Sequence, residues 1–537
     1  MSQNKVVRIS SDAGVRRILE PAAIAAISLL PMILVAAASR HGPGASPDSV
    51  GYLVAAKSFA TTGQFTYWDG TPYTIWPPGL ALILSFFYRI GADLDVAVVA
   101  MNALAAGAGV ALTYLLGLTL TASRRGALAG ASIVALLSTT TDVYRMLWSE
   151  PVFCVLCLAT LCLLARSSVS KPGPITVVAI AGAISLACSV RYLGIALIPV
   201  AGASLFLATI DRGVARAVAI GLATSIASSA GLVLVVARNL MLGSPAFGPR
   251  SASHYSAIQA GRDVVATFGR YVWPNSGPRL AILIGFAIAA LIALGAVAVL
   301  LHSGRERRAG VPVVLFTCAY LGLLVASEMS TAIEPISARY VLPIFGPAVV
   351  LAVAGGQWLL RSAKEMHWAP ARFGNRESLS RPAVLALSAA FVAAGVLFLV
   401  GNGRSIAHTV SKSPNSLGYN AAQVRNSKLA AATGRLQGGV TSNDPIWVAS
   451  AADRLPVLGK LAVAHGGDLG TELRKLVSSG ALTYYAHFDD PMTVQGVTTD
   501  DLQGAGIVLR EVSAYPDGIL YVLSVPTAPQ PATATAP

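Results

Sequence analysis

Apolar runs close to twenty residues long recur along most of this chain, broken by short polar and often basic segments. A helix that crosses the hydrocarbon layer needs about twenty such residues. The runs predict spans at about 21–38, 96–119, 126–140, 151–165, 174–190, 192–209, 217–237, 279–301, 311–327, 341–360 and 383–400, about eleven in all. Residues 39–93 form a long first loop. Within it, Gly79 to Tyr88 is apolar but too short to span, and it reads as a helix in the membrane interface, started by Pro77-Pro78. From about residue 402 the long runs stop. Shorter ones replace them in strand-like alternation: Ile446-Trp447-Val448, Leu482 to Phe488 and Ile507 to Val512. Pro516-Asp517-Gly518 then reads as a turn before a strand at Ile519 to Leu523.

The pattern predicts a polytopic α-helical membrane protein with a C-terminal extracytoplasmic α/β domain. Its divisions are a cytoplasmic N-terminus (1–20), a transmembrane domain (21–401), a small α/β domain (402–526) and a disordered Pro/Ala/Thr tail (527–537). Composition agrees. Of 537 residues, 54% are hydrophobic and 12% charged, where a soluble protein carries about 25% charged residues. The net charge of +14 raises the question of nucleic acid, but its source lies in the loops. Lys5, Arg8, Arg16 and Arg17 precede the first span. Arg124/Arg125, Arg166/Lys171, Arg212/Arg216, Arg305/Arg307/Arg308 and the cluster from Arg361 to Arg381 fall on the same side. That is the positive-inside rule, and it argues against a nucleic-acid partner. An odd number of spans then places the C-terminus outside. The first run follows a basic start as a signal peptide does, but its length favours a retained span. The five cysteines all lie in spans and read as small packing residues, and no histidine cluster has zinc spacing.

Ionisable residues gather at the external span ends. Asp48 and Lys57 lie in the first loop, and Asp142, Arg145 and Glu150 in the second. Arg191 marks the third, and Glu328, Glu334, Arg339 and Tyr340 a later one. Between them, Arg238, Arg250, Arg262 and Arg270 lie in a segment of about forty residues. A carboxylate at a membrane boundary is costly unless solvated or used, so Asp48 is a catalytic candidate against the plainer reading of a solvated loop acid. Glu150 reads either as a helix-entry charge before a first-turn proline or as an acceptor or second acidic site, with Arg145 expected to pair with it. Arg191 and Arg339 read as interfacial anchors beside belt tyrosines, Tyr192 and Tyr340, or as a grip on phosphate. Asp93-Leu94-Asp95 spells a metal-binding Asp-x-Asp. It also opens a helix, where acids cap, so neither a divalent metal nor another cofactor is expected. Gly126-x-x-x-Gly130 reads as helix packing.

Several short motifs then fall in a telling order: Asp48-Ser49-x-x-Tyr52, Ala56-x-x-x-Ala60, Gly63, Trp76-Pro77-Pro78-Gly79, Trp148-Ser149-Glu150-Pro151, Arg191-Tyr192-x-Gly194 and Arg339-Tyr340-x-x-Pro343. Together they resemble the GT-C membrane glycosyltransferases, and more narrowly the branch around the protein O-mannosyltransferases and the lipid A aminoarabinose transferases. The C-terminal domain, with Ser442-Asn443-Asp444-Pro445, is similar to the variable soluble tails of that branch. The resemblance implies a polyprenyl-phosphate-linked sugar donor, used on the outer face of the inner membrane. Asp48 matches the family's catalytic acid. One carboxylate suits this chemistry, because the acceptor hydroxyl must lose a proton while the phosphate leaving group needs none. Glycosidases need two carboxylates because an alkoxide leaves. Inversion is the expected outcome. Arg339, Arg191, Lys57 and Tyr340 are then the donor-phosphate candidates, and the acceptor is a lipid, a polysaccharide or a protein. The competing class is a membrane transporter or lipid flippase. It predicts charges near mid-membrane, broken helices in paired halves and no large external domain.

Overall fold

A computed structural model describes residues 3–67, 70–302, 304–331, 335–368, 381–411, 417–452, 456, 468–493 and 496–526. Glu334 and the 527–537 tail lie outside them. Helix α1 (Gln3–Ala38) carries the first apolar run. It is followed inside the first loop by α2 (Pro47–Thr62), which the apolar pattern does not announce. Local chemistry explains α2: Ser46 and Ser49 cap each other, side chain to backbone, and Pro47 holds the first turn. Gly63 ends it in the left-handed region at φ 77°. Helix α3 (Gly79–Arg89) begins directly after Pro77-Pro78. It buries Leu80, Ala81 and Leu84 and exposes Leu82 and Phe86, so it is apolar on both faces, as an interfacial helix would be.

The helices that follow are α4 (Leu94–Thr121), α5 (Arg124–Ala135), α6 (Ser138–Tyr144), α7 (Glu150–Val169), α8 (Pro174–Val190), α9 (Leu197–Thr209), α10 (Val214–Ser228), α11 (Ala230–Met241), α12 (Ala257–Val272), α13 (Pro278–Leu301), α14 (Arg305–Ser330), α15 (Ala338–Trp368) and α16 (Arg381–Ser411). Every predicted span has a helical counterpart here. Among the described residues, seven helices are long and apolar enough to cross a membrane, or nine if each bent pair counts as one span. At 17 residues, α8 falls just short. The protein is a multi-pass helical membrane protein.

The structure differs from the sequence reading inside two spans. The run at 126–140 is broken into α5 and α6, bent by 52°, and the run at 217–237 into α10 and α11, bent by 42°. The first break has a clear cause. Helix α6 opens on Ser138-Thr139-Thr140-Thr141, all buried, and no side chain of its own caps it. Asn402 of α16 supplies the missing partner. Its Oδ1 accepts from the Ser138 backbone N–H at 2.8 Å and from the Ser138 hydroxyl at 2.9 Å. Its amide donates to the carbonyls of Tyr271, Val272 and Phe398. One turn of α6 further on, Thr409 of α16 donates to Asp142 at 2.9 Å.

By contact, the described residues form two compact units. The first comprises Met1–Arg40, Thr74–Leu80 and Ala97–Ser413, and the second His41–Tyr73, Ala81–Val96 and Pro414–Pro537. Helix α16 runs on to Ser411, past the last residue of the apolar run expected at 383–400. An apolar run marks where a helix stops being greasy, not where it stops being a helix. Close packing holds the first unit together. Gly126 and Gly130 face Val349, Val353 and Gln357 of α15, which is the packing role read from their spacing. All five cysteines are free, and Cys154, Cys157 and Cys188 are buried.

The second unit adds α17 (Ala422–Arg425), α18 (Lys428–Thr433), β1 (Val440–Ser442), α19 (Pro445–Ala451), α20 (Leu469–Ser478), β2 (Tyr484–Phe488), α21 (Thr499–Gly504), β3 (Val508–Tyr515) and β4 (Gly518–Ser524). The sheet order is β1-β2-β4-β3, with β1 parallel to β2 and the other pairs antiparallel. The hairpin at Pro516-Asp517 stands where the turn was expected. Ile446-Trp447-Val448 is a correction: it lies in helix α19, because Asp444 caps the helix through the Trp447 N–H and Pro445 fits its first turn. Asp444 is fully buried. Its carboxylate accepts from the backbone N–H groups of Trp447 and Met492, at 2.9 and 2.8 Å, and from the Tyr419 hydroxyl at 3.2 Å.

Two outcomes follow from these polar hubs. Asn402→Ala leaves the Ser138 N–H without its partner, and should lower the unfolding free energy in detergent by about 1–3 kcal/mol. Burial pushes the Asp444 carboxyl above its usual range despite its hydrogen bonds, which pull the other way. The folded state thus holds a proton that the unfolded chain has already released. Stability contributed by this group is present below the unfolded value near 3.8 and is lost as pH rises through the folded one. Amide exchange over 417–526, corrected for intrinsic rates, should show that slope, and Asp444→Asn should flatten it.

Candidate functional site

The C-terminus of α6, the N-terminus of α7, the C-terminus of α8 and the N-terminus of α15 gather at one end of the first unit, where Arg191 after α8 reaches Glu150 of α7 and Tyr340 of α15. Arg191 sits in extended conformation between α8 and a 3₁₀ turn, Tyr192–Ala196. That reversal needs Gly194: a Cβ there would lie 2.7 Å from the Cys188 backbone nitrogen. The motif Arg191-Tyr192-x-Gly194 is thus a turn that presents an arginine beside the start of α7.

Glu150, the first residue of α7, is buried, its side chain only 2% exposed. Its Oε1 lies 2.6 Å from Nη1 of Arg191, whose side chain is also largely buried. The same guanidinium donates to the Ser149 hydroxyl at 2.9 Å. Its Cζ lies 6.0 Å from the Phe153 ring and 5.8 Å from the Tyr340 ring. Arg339 reaches the same Tyr340 ring at 4.7 Å and the Trp148 ring at 4.9 Å, and donates to the Tyr340 hydroxyl at 2.7 Å. Two guanidiniums therefore share one tyrosine, with a tryptophan and a phenylalanine as further walls. Each such contact contributes about 0.5–2 kcal/mol, more where water is excluded.

The start of α15, which carries Arg339 and Tyr340, is held from three sides. Tyr271 of α12 donates to the Ala338 carbonyl at 2.7 Å, and Tyr320 of α14 to the Tyr340 carbonyl at 3.0 Å. Glu328 is buried near the end of α14 and accepts from the Ile336 backbone N–H at 3.0 Å. Phe153 and Tyr320 carry no sequence signal, because an aromatic residue inside an apolar run reads as core, whereas Tyr271 stands in the aromatic cluster Tyr271-Val272-Trp273-Pro274 of the external segment.

The pairing expected between Arg145 and Glu150 is corrected. Arg145 follows α6 and pairs one turn back with Asp142, at 3.5 Å, while Glu150 takes Arg191 from the antiparallel neighbour α8. The belt reading of Tyr340 is also replaced, since the ring is 9% exposed and packs against arginines.

Asp48 and Lys57 belong to the second unit, and both lie half-buried on α2. Asp48 stands in the first turn, where the helix dipole favours a negative charge. Lys57 follows about two and a half turns later. Asp93 accepts from the Val96 N–H at 3.1 Å and so caps α4. Asp95 accepts from the Asn420 amide at 3.3 Å. No group of three or more His, Cys, Asp or Glu arranged to hold a metal occurs among the described residues.

Neither a protein-family model nor a curated protein matches the sequence. Solved structures do match the fold. ArnT of Cupriavidus metallidurans, bound to undecaprenyl phosphate, superposes with a TM-score of 0.59 at 14% identity, over 92% of this chain and 97% of that one. Its apo state gives 0.58 at 12%, over 95% and 98%. The archaeal oligosaccharyltransferase AglB of Archaeoglobus fulgidus, in complex with an inhibitory peptide and a dolichol-phosphate, gives 0.50 at 12%, over 88% and 70%.

The Glu150–Arg191 pair sets an outcome of its own. Removing one partner of a buried pair strands the other charge, so Glu150→Ala and Arg191→Ala should each cost about 3–5 kcal/mol in detergent unfolding. The double variant should cost clearly less than their sum.

Proposed function

We propose that this chain, which has the fold of the GT-C membrane glycosyltransferases, transfers a sugar from a polyprenyl-phosphate-linked donor to a hydroxyl of a lipid, polysaccharide or protein. In this reading the reaction takes place on the outer face of the plasma membrane, the side that the distribution of basic loops assigns to the Glu150 end of the bundle. The observation that carries the proposal is the pair of guanidiniums on the Tyr340 ring at one end of the bundle. The neighbours solved with undecaprenyl phosphate and dolichol-phosphate support the class of donor.

Asp48 is the general base. Its carboxylate takes the proton of the acceptor hydroxyl as that oxygen attacks the anomeric carbon. The bond from that carbon to the phosphate oxygen breaks on the opposite face, inverting the centre. The polyprenyl phosphate leaves with the bonding electrons and needs no proton. Arg339, with Tyr340, stabilises the growing phosphate charge. Stacking uses the flat faces of a guanidinium, and its hydrogen bonds to phosphate form at the edge. Arg191 is assigned to holding Glu150 and through it the shape of the site. Lys57 is assigned a secondary contact with the donor, and Glu150 and Arg145 shape the acceptor side. In this reading cationic side chains take the electrostatic role of a divalent ion, and Asp93 and Asp95 serve structure.

The two bent helix pairs favour a second reading, a lipid transporter or flippase, because discontinuous helices are usual there. One experiment separates the two. Purified protein in vesicles is given the lipid-linked sugars extracted from the source membrane, and release of free polyprenyl phosphate is followed together with lipid translocation. Asp48→Asn should reduce release at least a hundredfold while leaving expression and donor binding intact. Addition of a chelator should leave the rate unchanged. Normal release by the Asp48→Asn variant removes Asp48 from the mechanism, and translocation without release favours the flippase.

A further inference from the structure

The short segment that delivers Asp48 to α2 is gripped by a distant piece of the same unit, residues 417–420. Ala45 and Gly418 form an isolated parallel β-bridge. The Ala45 N–H donates to the Leu417 carbonyl at 3.0 Å, and the Tyr419 N–H to the Ala45 carbonyl at 2.8 Å. Asn420 donates to the Pro43 carbonyl at 2.9 Å and to Asp95 at 3.3 Å. The fit leaves no slack. Gly418 has φ 61°, and a Cβ on it would stand 2.0 Å from the Ala45 carbonyl oxygen. On the other strand, a Cβ on Gly42 would stand 2.7 Å from Asp95 and 2.8 Å from Asn420.

The gripping segment is itself fixed from behind. Tyr419 is buried, its hydroxyl on Asp444 and its carbonyl accepting from Ser450 of α19 at 3.2 Å. Asp444 caps α19, which packs against α2. One residue beyond Ala45 is Ser46, the helix cap, and two residues beyond that is Asp48. The buried Asp444 thus connects through the Tyr419 side chain and then through backbone bonds to Ala45, three residues before Asp48 in the first turn of α2.

We propose that residues 417–420 are a clip that sets the position of the Asp48 carboxylate, so that Gly418, Tyr419 and Asn420 are positioning residues for the transfer reaction. This rests on the reading of Asp48 as general base. A base that must meet a proton at hydrogen-bond distance loses rate steeply when misplaced, and a shift of about 1 Å costs up to a hundredfold. In this reading the clip gives the C-terminal part of the chain a role in the chemistry.

The test uses the full chain in vesicles, with the source membrane's lipid-linked sugars as probe. Gly418→Ala adds one methyl group at the bridge. Turnover should fall at least tenfold with KM for the lipid-linked sugar changed less than twofold, and amide exchange over 45–52 should speed up while that over 484–488 stays as it was. In an Asp48→Glu background, whose carboxylate is already displaced, the same substitution should add less than a threefold loss. Unchanged turnover in Gly418→Ala overturns the clip. So does a KM rise that accounts for the loss, or a full tenfold loss in the Asp48→Glu background. If Gly418→Ala does not accumulate as folded protein, Asn420→Ala replaces it. That variant removes the bonds to Pro43 and Asp95 and adds no atoms. A threefold or greater turnover loss supports the clip and an unchanged rate overturns it. Failure of the underlying reading looks different, because Asp48→Asn would then retain transfer whatever the clip variants do.

Discussion

A backbone amide in hydrocarbon has no water to turn to, so every break in a membrane helix must be paired from within the protein. The first unit is arranged around that requirement. Where α5 gives way to α6, Asn402 answers the freed N–H. Where α8 ends at Arg191, the chain reverses through a turn tight enough to need Gly194. Where α15 begins, two buried tyrosines and Glu328 bind the first turn and the residue leading into it. These paired breaks hold polar side chains at fixed places. An uninterrupted bundle would have offered only smooth apolar faces.

The two arginines of the site stand in different surroundings. Arg191 is tied to a buried carboxylate and a serine, a pairing costly to dismantle from either side. Arg339 lies against tryptophan and tyrosine, contacts that fix its orientation. Sequence position alone made them equivalent, each an arginine followed by a tyrosine at a span end. Their surroundings distinguish them: a buried carboxylate and a serine for Arg191, two aromatic rings for Arg339.

The spans were legible because twenty-residue apolar runs and clustered basic loops are long-range averages that single residues do not upset. The hairpin around Pro516-Asp517 was legible because turn residues act locally. What stayed hidden depended on a partner far away in sequence. Nothing near Ser138 announces that Asn402 will cap it, so 126–140 read as one span. Nothing near Glu150 says that Arg191, rather than the closer Arg145, will pair with it. Helix α2 was hidden for a different reason: its capping box closes on Ser49, where a glutamate or glutamine would have been the recognisable signal. The run Ile446-Trp447-Val448 misled because three apolar residues suit a strand or a helix equally, and the preceding Asp444-Pro445 decides.

The Ser138–Asn402 bond also has a bearing on how the protein is made. Its two partners are 264 residues apart. A ribosome adding about 5–20 residues each second needs on the order of tens of seconds to get from one to the other. For that whole interval the Ser-Thr-Thr-Thr stretch of α6 has left the ribosome while its cap has not. The nascent chain must park it beside water or the insertion machinery until α16 arrives. The break between α5 and α6 is therefore closed only once α16 has been made.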